Sequence, residues 1–407
     1  IEIDLLLDIQ GFSETNAIRF ADNIFKNCYK DGNVIQQFEN DIGNNKVAKQ
    51  LIHVPLLLVF MAHSWYEKRT IPSKLHELYI SFLNMMADRL KEKYKKNPNC
   101  NQMNFTLGDT QSPFPSKLSK MSLFVNFGGG LLLSLCGAAH HFLLSDKKEN
   151  SLVFEKTKLL NALGDRGEEI LDVSLKLGLL SVTDSVSYVN RKLSVSFLHK
   201  TMQEFFTAAC FILNPDKLTN FITSIGNLNA VQQNENIIVF LVGLMPELGN
   251  RVLEKVNELN RGRWNRLMNN KKLAMERLRS GEEVDLESEE RMGDSLFWLF
   301  DRTILFITSI YLRCKEEVIG ENVLLNVSCL CLEEKKLDLH CYNLAFLQIL
   351  DLIKIKFPDD KADLRELTGL TYLALHYISC EVIDFIILNF CNLTVVCGGH
   401  NDKNLMT

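Results

Sequence analysis

The sequence predicts a mainly α, multidomain chain in which helical domains flank a winged helix and the C-terminus begins a leucine-rich-repeat α/β solenoid. Three observations carry this expectation. Apolar residues recur at three- and four-residue steps through most of the chain up to Leu259, alternating residues between Leu179 and Phe197 interrupt that period, and a leucine pattern repeats after Leu347.

Taken in order, Ile1 to Ile9 alternates and then fills with aliphatics, which predicts a strand left through the turn Gly11-Phe12-Ser13. Asp8 near its end has the look of a nucleotide hydrolase's acidic strand, but no partner acid or phosphate loop accompanies it. Ser13 or Glu14 then starts a helix through Ala17, Phe20, Ile24 and Phe25. A helical pattern resumes at Val47, and Pro55 in His53-Val54-Pro55-Leu56-Leu57-Leu58 marks a helix start, since proline is tolerated only in a first turn. Ile71-Pro72 opens the next helix. It buries Leu75, Leu78, Phe82, Met85, Met86 and Leu90, and it ends in the basic run Lys91 to Lys96, which suits the negative end of the helix dipole.

Residues 97–116 hold Pro98, Pro113 and Pro115 among polar residues and show neither period, so they form a loop and a boundary. Helices are expected over Leu118 to Leu144, Phe154 to Leu163 and Glu168 to Leu177. Leu179 to Thr183, Val186 to Val189 and Leu193 to Phe197 read as two or three short strands around turns at Asp184-Ser185 and Asn190-Arg191, the outline of a winged helix. Its wing carries only Arg191 and Lys192, too little charge to grip a DNA backbone.

After Phe197 the period changes. Leu198, Met202, Phe205, Ala209 and Ile212 fall on one face of a helix, and Thr201 with Glu204 has capping-box spacing, so the helix is expected to start near Thr201. His199 is then left at the strand-to-helix corner. Free N–H groups and partial positive charge at a helix N-terminus favour an anion, so an imidazole there is placed to share a phosphate. The competing reading is a corner histidine that caps its neighbours or faces solvent, and local chemistry leaves both open.

Ile237 to Leu248 is apolar, Asn250 to Leu259 is helical in period, and Arg261 to Arg291 is charged in both signs, as on a solvated helical face. Leu347-x-x-Leu350-x-Leu352, Leu370-x-x-Leu373-x-Leu375 and Leu393-x-x-Val396-x-Gly398 stand 23 residues apart, with Leu324-x-x-Val327-x-Cys329 as a frayed earlier copy. Leucine-rich repeats have this spacing. The Asn or Cys ladder position falls on Ile355, Ile378 and Asn401, so these read as atypical first repeats of an array that continues beyond Thr407.

Composition narrows the function classes. The chain has 407 residues, is 46% hydrophobic, and carries 45 basic against 50 acidic residues for a net charge of −5, so no field of one sign argues for nucleic acid or an anionic membrane. Eleven cysteines without a regular framework point to a reducing cytosol. The start at Ile1, without an initiator methionine or leader, reads as part of a longer protein. Phe127 to Leu144 is apolar, but Gly128-Gly129-Gly130 and His140-His141 make it a buried helix and not a membrane span. Neither Gly128 to Gly130 nor Gly164 to Gly167 is followed by Lys-Ser/Thr, so no phosphate loop is present. Cys329, Cys331, His340 and Cys341 are poorly spaced for a tetrahedral zinc site, and no Gly-x-Ser-x-Gly elbow occurs. An independent enzyme is not expected.

Gly11-Phe12-Ser13, Val54-Pro55-Leu56-Leu57-Leu58, Ile71-Pro72 leading to Leu78-Tyr79-Ile80-Ser81-Phe82, and Ser196-Phe197-Leu198-His199-Lys200-Thr201-Met202-Gln203-Glu204-Phe205-Phe206-Thr207-Ala208-Ala209 occur in an order that resembles the NACHT-type nucleotide-binding leucine-rich-repeat receptors, the NOD-like innate immune sensors of the signal-transducing ATPase class. Val239 to Leu244 is similar to the start of that family's second helical domain. The likeness covers residues 1 to about 250 by motif order and spacing, 251 to 340 weakly, and the C-terminus through its own repeat.

The resemblance implies the end of a nucleotide-binding domain at 1–12, a first helical domain at 13–96, a loop at 97–116, a winged helix at 117–213, a second helical domain at 214–340 and the first leucine-rich repeats at 341–407. In the family, the proline matching Pro55 packs near adenine, and the histidine matching His199 reaches the ADP phosphate and holds the inactive state. The implied cofactor is ADP or ATP, bound mostly by residues upstream of Ile1, where the family's phosphate-binding lysine and Mg²⁺-binding acids lie. The implied partners are other copies of the protein on activation and a protein or microbial ligand on the repeats, in the cytoplasm, with no nucleic acid and no membrane span. The alternative expectation is a helical and leucine-rich interaction scaffold without nucleotide dependence.

Overall fold

Ser13 starts the first helix, as its hydroxyl accepts the Asn16 N–H at 3.3 Å and caps α1 (Glu14–Ile24). The computed structural model describes residues 11–31, 33–96, 114–144, 152–184, 193–279, 306–321, 323–327, 329–333, 342, 349–353, 370, 372–376 and 394–398. The expected strand over 1–9, the loop over 97–113 and the wing segment 186–189 lie outside them. The chain divides into two units, Ile1–Asn214 and Pro215–Thr407, and it is mainly helical with one small antiparallel sheet.

In the first unit, α1 runs into a π-helical turn (Phe25–Tyr29), followed by α2 (Ile35–Gly43), α3 (Lys46–Leu51) and α4 (Pro55–Lys68). Phe25, Phe38 and Trp65 meet edge to face or tilted, with centroids 5.2–5.5 Å apart, and none of the three is exposed. Pro55 occupies the first helical position of α4, as its missing N–H requires. The next helix, α5 (Leu75–Lys96), starts three residues beyond the expected Ile71-Pro72. The reason is Asn45, whose side-chain amide donates to the Ile71 and Pro72 carbonyls at 3.1 and 3.0 Å and so occupies the carbonyls that a helix would use.

The expected single helix from Leu118 to Leu144 is three: α6 (Ser116–Ser119), α7 (Ser122–Phe127) and α8 (Gly129–Leu143). Gly128 makes the main break at φ 84°, ψ 162°, a conformation open essentially to glycine alone. Asn84 and Asp88 of α5 seat α7, Asn84 accepting the Ser122 N–H at 2.7 Å and Asp88 accepting from Asn126 at 3.1 Å.

Phe154, expected in a helix, lies instead in β1 (Val153–Glu155). It pairs with Val195, and its ring stacks on Phe142 with centroids 4.2 Å apart, so the helix that follows, α9 (Lys156–Leu163), starts after it. Then come α10 (Gly167–Leu177), β2 (Leu180–Asp184), β3 (Leu193–Phe197) and α11 (Lys200–Leu213). The sheet has the order β1-β3-β2, all antiparallel, with Val182 opposite Val195 and the Ser181 and Ser196 hydroxyls 3.0 Å apart.

One apolar face was expected for α11, but every residue from Met202 to Ile212 is buried or nearly so. It packs on α8, with the His140 and Phe211 rings perpendicular at 5.4 Å between centroids, and Thr207 satisfies its hydroxyl on the Gln203 carbonyl at 2.9 Å. A helix buried on all sides, its polar Gln203, Glu204 and Thr207 included, is central to the unit. Burying Phe205, Phe206 and Phe211 contributes about 1.5–3 kcal/mol each.

The second unit contains α12 (Pro215–Ser224), α13 (Leu228–Gln233), α14 (Glu235–Leu244), α15 (Pro246–Arg279) and α16 (306–318). Ile237 to Leu244 is buried throughout. Asn250 and Asn257 of α15 hold segment 323–327 through the Leu324 and Asn326 carbonyls at 2.9 and 3.0 Å, and Tyr311 of α16 donates to Asn257 at 2.5 Å.

Four strands close the described chain, β4 (Cys329–Glu333), β5 (Ile349–Ile353), β6 (Tyr372–His376) and β7 (Thr394–Gly398), parallel and adjacent in chain order. Their register corrects the expected copies. Leu330 pairs with Leu350, Leu350 with Leu373 and Leu373 with Val395, giving spacings of 20, 23 and 22 residues. The first copy is thus Val327-x-x-Leu330-x-Leu332, and the last shifts by one residue. A parallel ladder aligns strands, and the lengths of the returns between them are free to differ.

Candidate functional site

The turn between β3 and α11 carries His199, in extended backbone at the N-cap of α11 (φ −148°, ψ 146°). The expected Thr201–Glu204 capping box does not form. The imidazole is itself the cap, its Nδ1 accepting the Thr201 backbone N–H at 3.2 Å with the Thr201 Oγ1 at 2.7 Å, while buried Glu204 pairs with Lys200 at 3.5 Å. Thr201 Oγ1 is also hydrogen-bonded to the Tyr79 hydroxyl of α5, and the Tyr79 ring stacks on Phe205 with centroids 6.0 Å apart.

His199 Nε2 has no hydrogen-bond partner among the described residues. Partial burial of the imidazole holds its pKa below the usual 6.5, so it is neutral at pH 7. Tyr79 is fully buried, and desolvation pushes its phenol well above the usual range, so it stays protonated. Sequence reasoning missed Tyr79. A signal for it was present, because Leu75, Tyr79, Phe82 and Met86 are spaced to share one face of α5.

Pro55 is exposed at the start of α4. The turn before it meets the other end of the first helical segment, since the His53 carbonyl accepts the Phe12 N–H at 2.8 Å and His53 Nδ1 donates to the Phe12 carbonyl at 2.6 Å. Gly11 is required there, as a Cβ would stand 2.2 Å from the His53 carbonyl oxygen. Two motifs 40 residues apart in the sequence, Gly11-Phe12-Ser13 and His53-Val54-Pro55, are therefore one structural unit. Pro55 and His199 start different helices, and α5 packs on both: Phe82 meets Phe60 of α4 at 5.1 Å, and Tyr79 meets Phe205 of α11.

Beside Leu198 a cleft of about 280 Å³ is lined by apolar Phe60, Met85, Met86, Leu90 and Leu177 under Arg89, Lys93 and Lys176. Arg89 pairs with Glu67 at 3.2 Å and Lys176 with Asp172 at 2.6 Å, so two of its three cations are already answered. Cys329 is buried, and desolvation pushes its thiol up to about 12. His340 and Cys341 lie outside the described residues, and among those described no three His, Cys, Asp or Glu are placed to hold a metal ion. Among the described residues no helix is long and apolar enough to cross a membrane.

No family model matches the chain, and no curated protein matches it.

Proposed function

We propose that this chain is the regulatory region of an ADP/ATP-dependent innate immune sensor or signalling switch of the NACHT type, in which His199 latches the nucleotide-bound inactive state. The observation that carries the reading is the free Nε2 of His199 at the N-cap of a central helix, with Nδ1 consumed inside the fold. A neutral imidazole in that position fits a phosphate oxygen. The exposed ring of Pro55 fits a flat base, and α5 bridges the helices that carry the two residues. On this reading His199 meets the phosphate and Pro55 the base, and the remaining groups that bind the nucleotide are supplied by residues other than these two.

In the same reading residues 117–213, with the sheet β1-β3-β2 and the helices up to α11, are the winged helix, and β4 to β7 begin a leucine-rich solenoid that takes a protein or microbial ligand. Exchange of ADP for ATP releases the latch and lets copies of the protein assemble in the cytoplasm. A hydrogen bond to a charged group contributes roughly 1.5–3 kcal/mol, which shifts a two-state equilibrium about ten- to a hundredfold. In the full-length protein, His199→Ala is expected to lose bound ADP, measured by chromatography of the denatured protein, and to oligomerise without stimulus. Unchanged ADP content in a monomeric mutant would remove His199 from the mechanism.

A second reading is favoured by the four-strand parallel ladder alone, namely an interaction scaffold with no nucleotide dependence. Full-length protein purified without any nucleotide would support it.

A further inference from the structure

We infer that Tyr79 and Thr201 are positioning residues that lock His199 in its Nε2–H tautomer, so that it meets a ligand as a neutral hydrogen-bond donor of one fixed direction. The argument begins with a group that has no choice. The Thr201 backbone N–H can only donate, and it lies 3.2 Å from His199 Nδ1, so Nδ1 is an acceptor and carries no proton. The single proton of the neutral ring is therefore on Nε2.

The direction of the remaining bonds follows. Only the Thr201 hydroxyl can supply a hydrogen across the 2.7 Å contact between Oγ1 and Nδ1, so Oγ1 donates there. Having given its one proton to the imidazole, Oγ1 must accept from Tyr79, whose burial keeps it protonated. The order is Tyr79 O–H to Thr201 O–H to His199 Nδ1, running from α5 into the cap of α11. Among the described residues, the charged pair beside this path is Lys200 with buried Glu204 on α11, and from α5 the phenol of Tyr79 meets Thr201 with the imidazole of His76 buried one turn earlier on the same helix.

Two consequences distinguish this from a histidine that binds as a cation. A neutral Nε2–H selects an acceptor atom, such as a phosphate or carboxylate oxygen, and rejects a donor. Proton uptake at Nδ1 would set its N–H against the Thr201 backbone N–H, which can only donate, and open the helix cap, so a latch of this kind works only with the neutral ring.

The tautomer claim stands on the hydrogen bonds alone, and the claim that it serves an anion rests on the proposed function. Both are testable in the full-length protein labelled with ¹⁵N-histidine, using long-range proton–nitrogen correlation at pH 7.5 and His199→Gln to assign the signal. The expected result is a pure Nε2–H pattern for His199, a shift toward the Nδ1–H form in Thr201→Val, a smaller shift in Tyr79→Phe, and the wild-type pattern in Thr201→Ser. Melting curves establish that each variant is folded. Loss of one neutral hydrogen bond from the path is expected to speed ADP release about two- to tenfold in Thr201→Val and not in Thr201→Ser. An Nδ1–H pattern in the wild type, or a tautomer that ignores Thr201→Val, overturns the inference. A tautomer that follows Thr201 while ADP release is unmoved in Thr201→Val and in His199→Ala supports the positioning role and overturns the nucleotide latch.

Discussion

His199 does two jobs with its two nitrogens, and the division between them makes its behaviour in acid predictable. Its pKa is depressed in the folded chain, so as pH falls the unfolded chain takes up the proton first. The stabilisation is complete above the unfolded value near 6.5 and is lost as pH drops from there through the folded value. Urea midpoints measured between pH 8 and 5 should therefore fall more steeply for the wild type than for His199→Asn, which keeps a capping oxygen and has no proton to gain. His199→Ala, without any cap, is expected to cost about 0.5–2 kcal/mol at pH 8. Thr201 was legible in the sequence as a capping residue, but with the wrong partner. The capping-box pattern records only a spacing of three, and it is the position of the imidazole one residue before the helix that takes the Thr201 N–H away from any such box.

Whole elements begin and end where single residues leave no alternative. Asn45 caps α3 by accepting the Ala48 N–H at 3.0 Å while its amide holds the Ile71 and Pro72 carbonyls, and it is almost completely buried. Asn45→Ala should destabilise the chain by about 1–3 kcal/mol in a denaturant titration, because it removes a cap and strands two carbonyls. Asn45→Asp should recover only the capping share, since a carboxylate cannot donate. At Gly128 the backbone lies where a side chain is strained, so Gly128→Ala is expected to cost about 1–3 kcal/mol by the same measurement. The break at Gly128 was missed because apolar periodicity continues across it, and the helical period carries no information about φ. Phe154 was misassigned for a related reason. A three-residue strand has too few positions to show alternation, and only its pairing with Val195 and its stacking on Phe142 identify it.

At the scale of the molecule, α11 helps hold the first unit together, because it is buried along nearly its whole length and packs on α8, α5 and β3 of that unit. A chain ending at Asn214 is expected to unfold in one cooperative transition, with Trp65 fluorescence and far-ultraviolet circular dichroism changing together. Trp65 is its only tryptophan, and the side chain is fully buried, so separated transitions would show that the unit needs residues beyond Asn214. The sequence by itself determined the helical class, the start of α4 at Pro55, the buried face of α5, the strands on either side of 185–192 and, of the leucine copies near the C-terminus, the step from Leu350 to Leu373. Each of these rests on local sterics or on a period that neighbouring residues impose. Only the tertiary structure decided the register of β4 to β7, the joining of Gly11-Phe12-Ser13 to His53-Val54-Pro55, and the path from Tyr79 through Thr201 to His199. These depend on hydrogen bonds between residues far apart in the chain, 122 positions in the case of Tyr79 and Thr201, and no local pattern encodes which distant donor a given acceptor will meet.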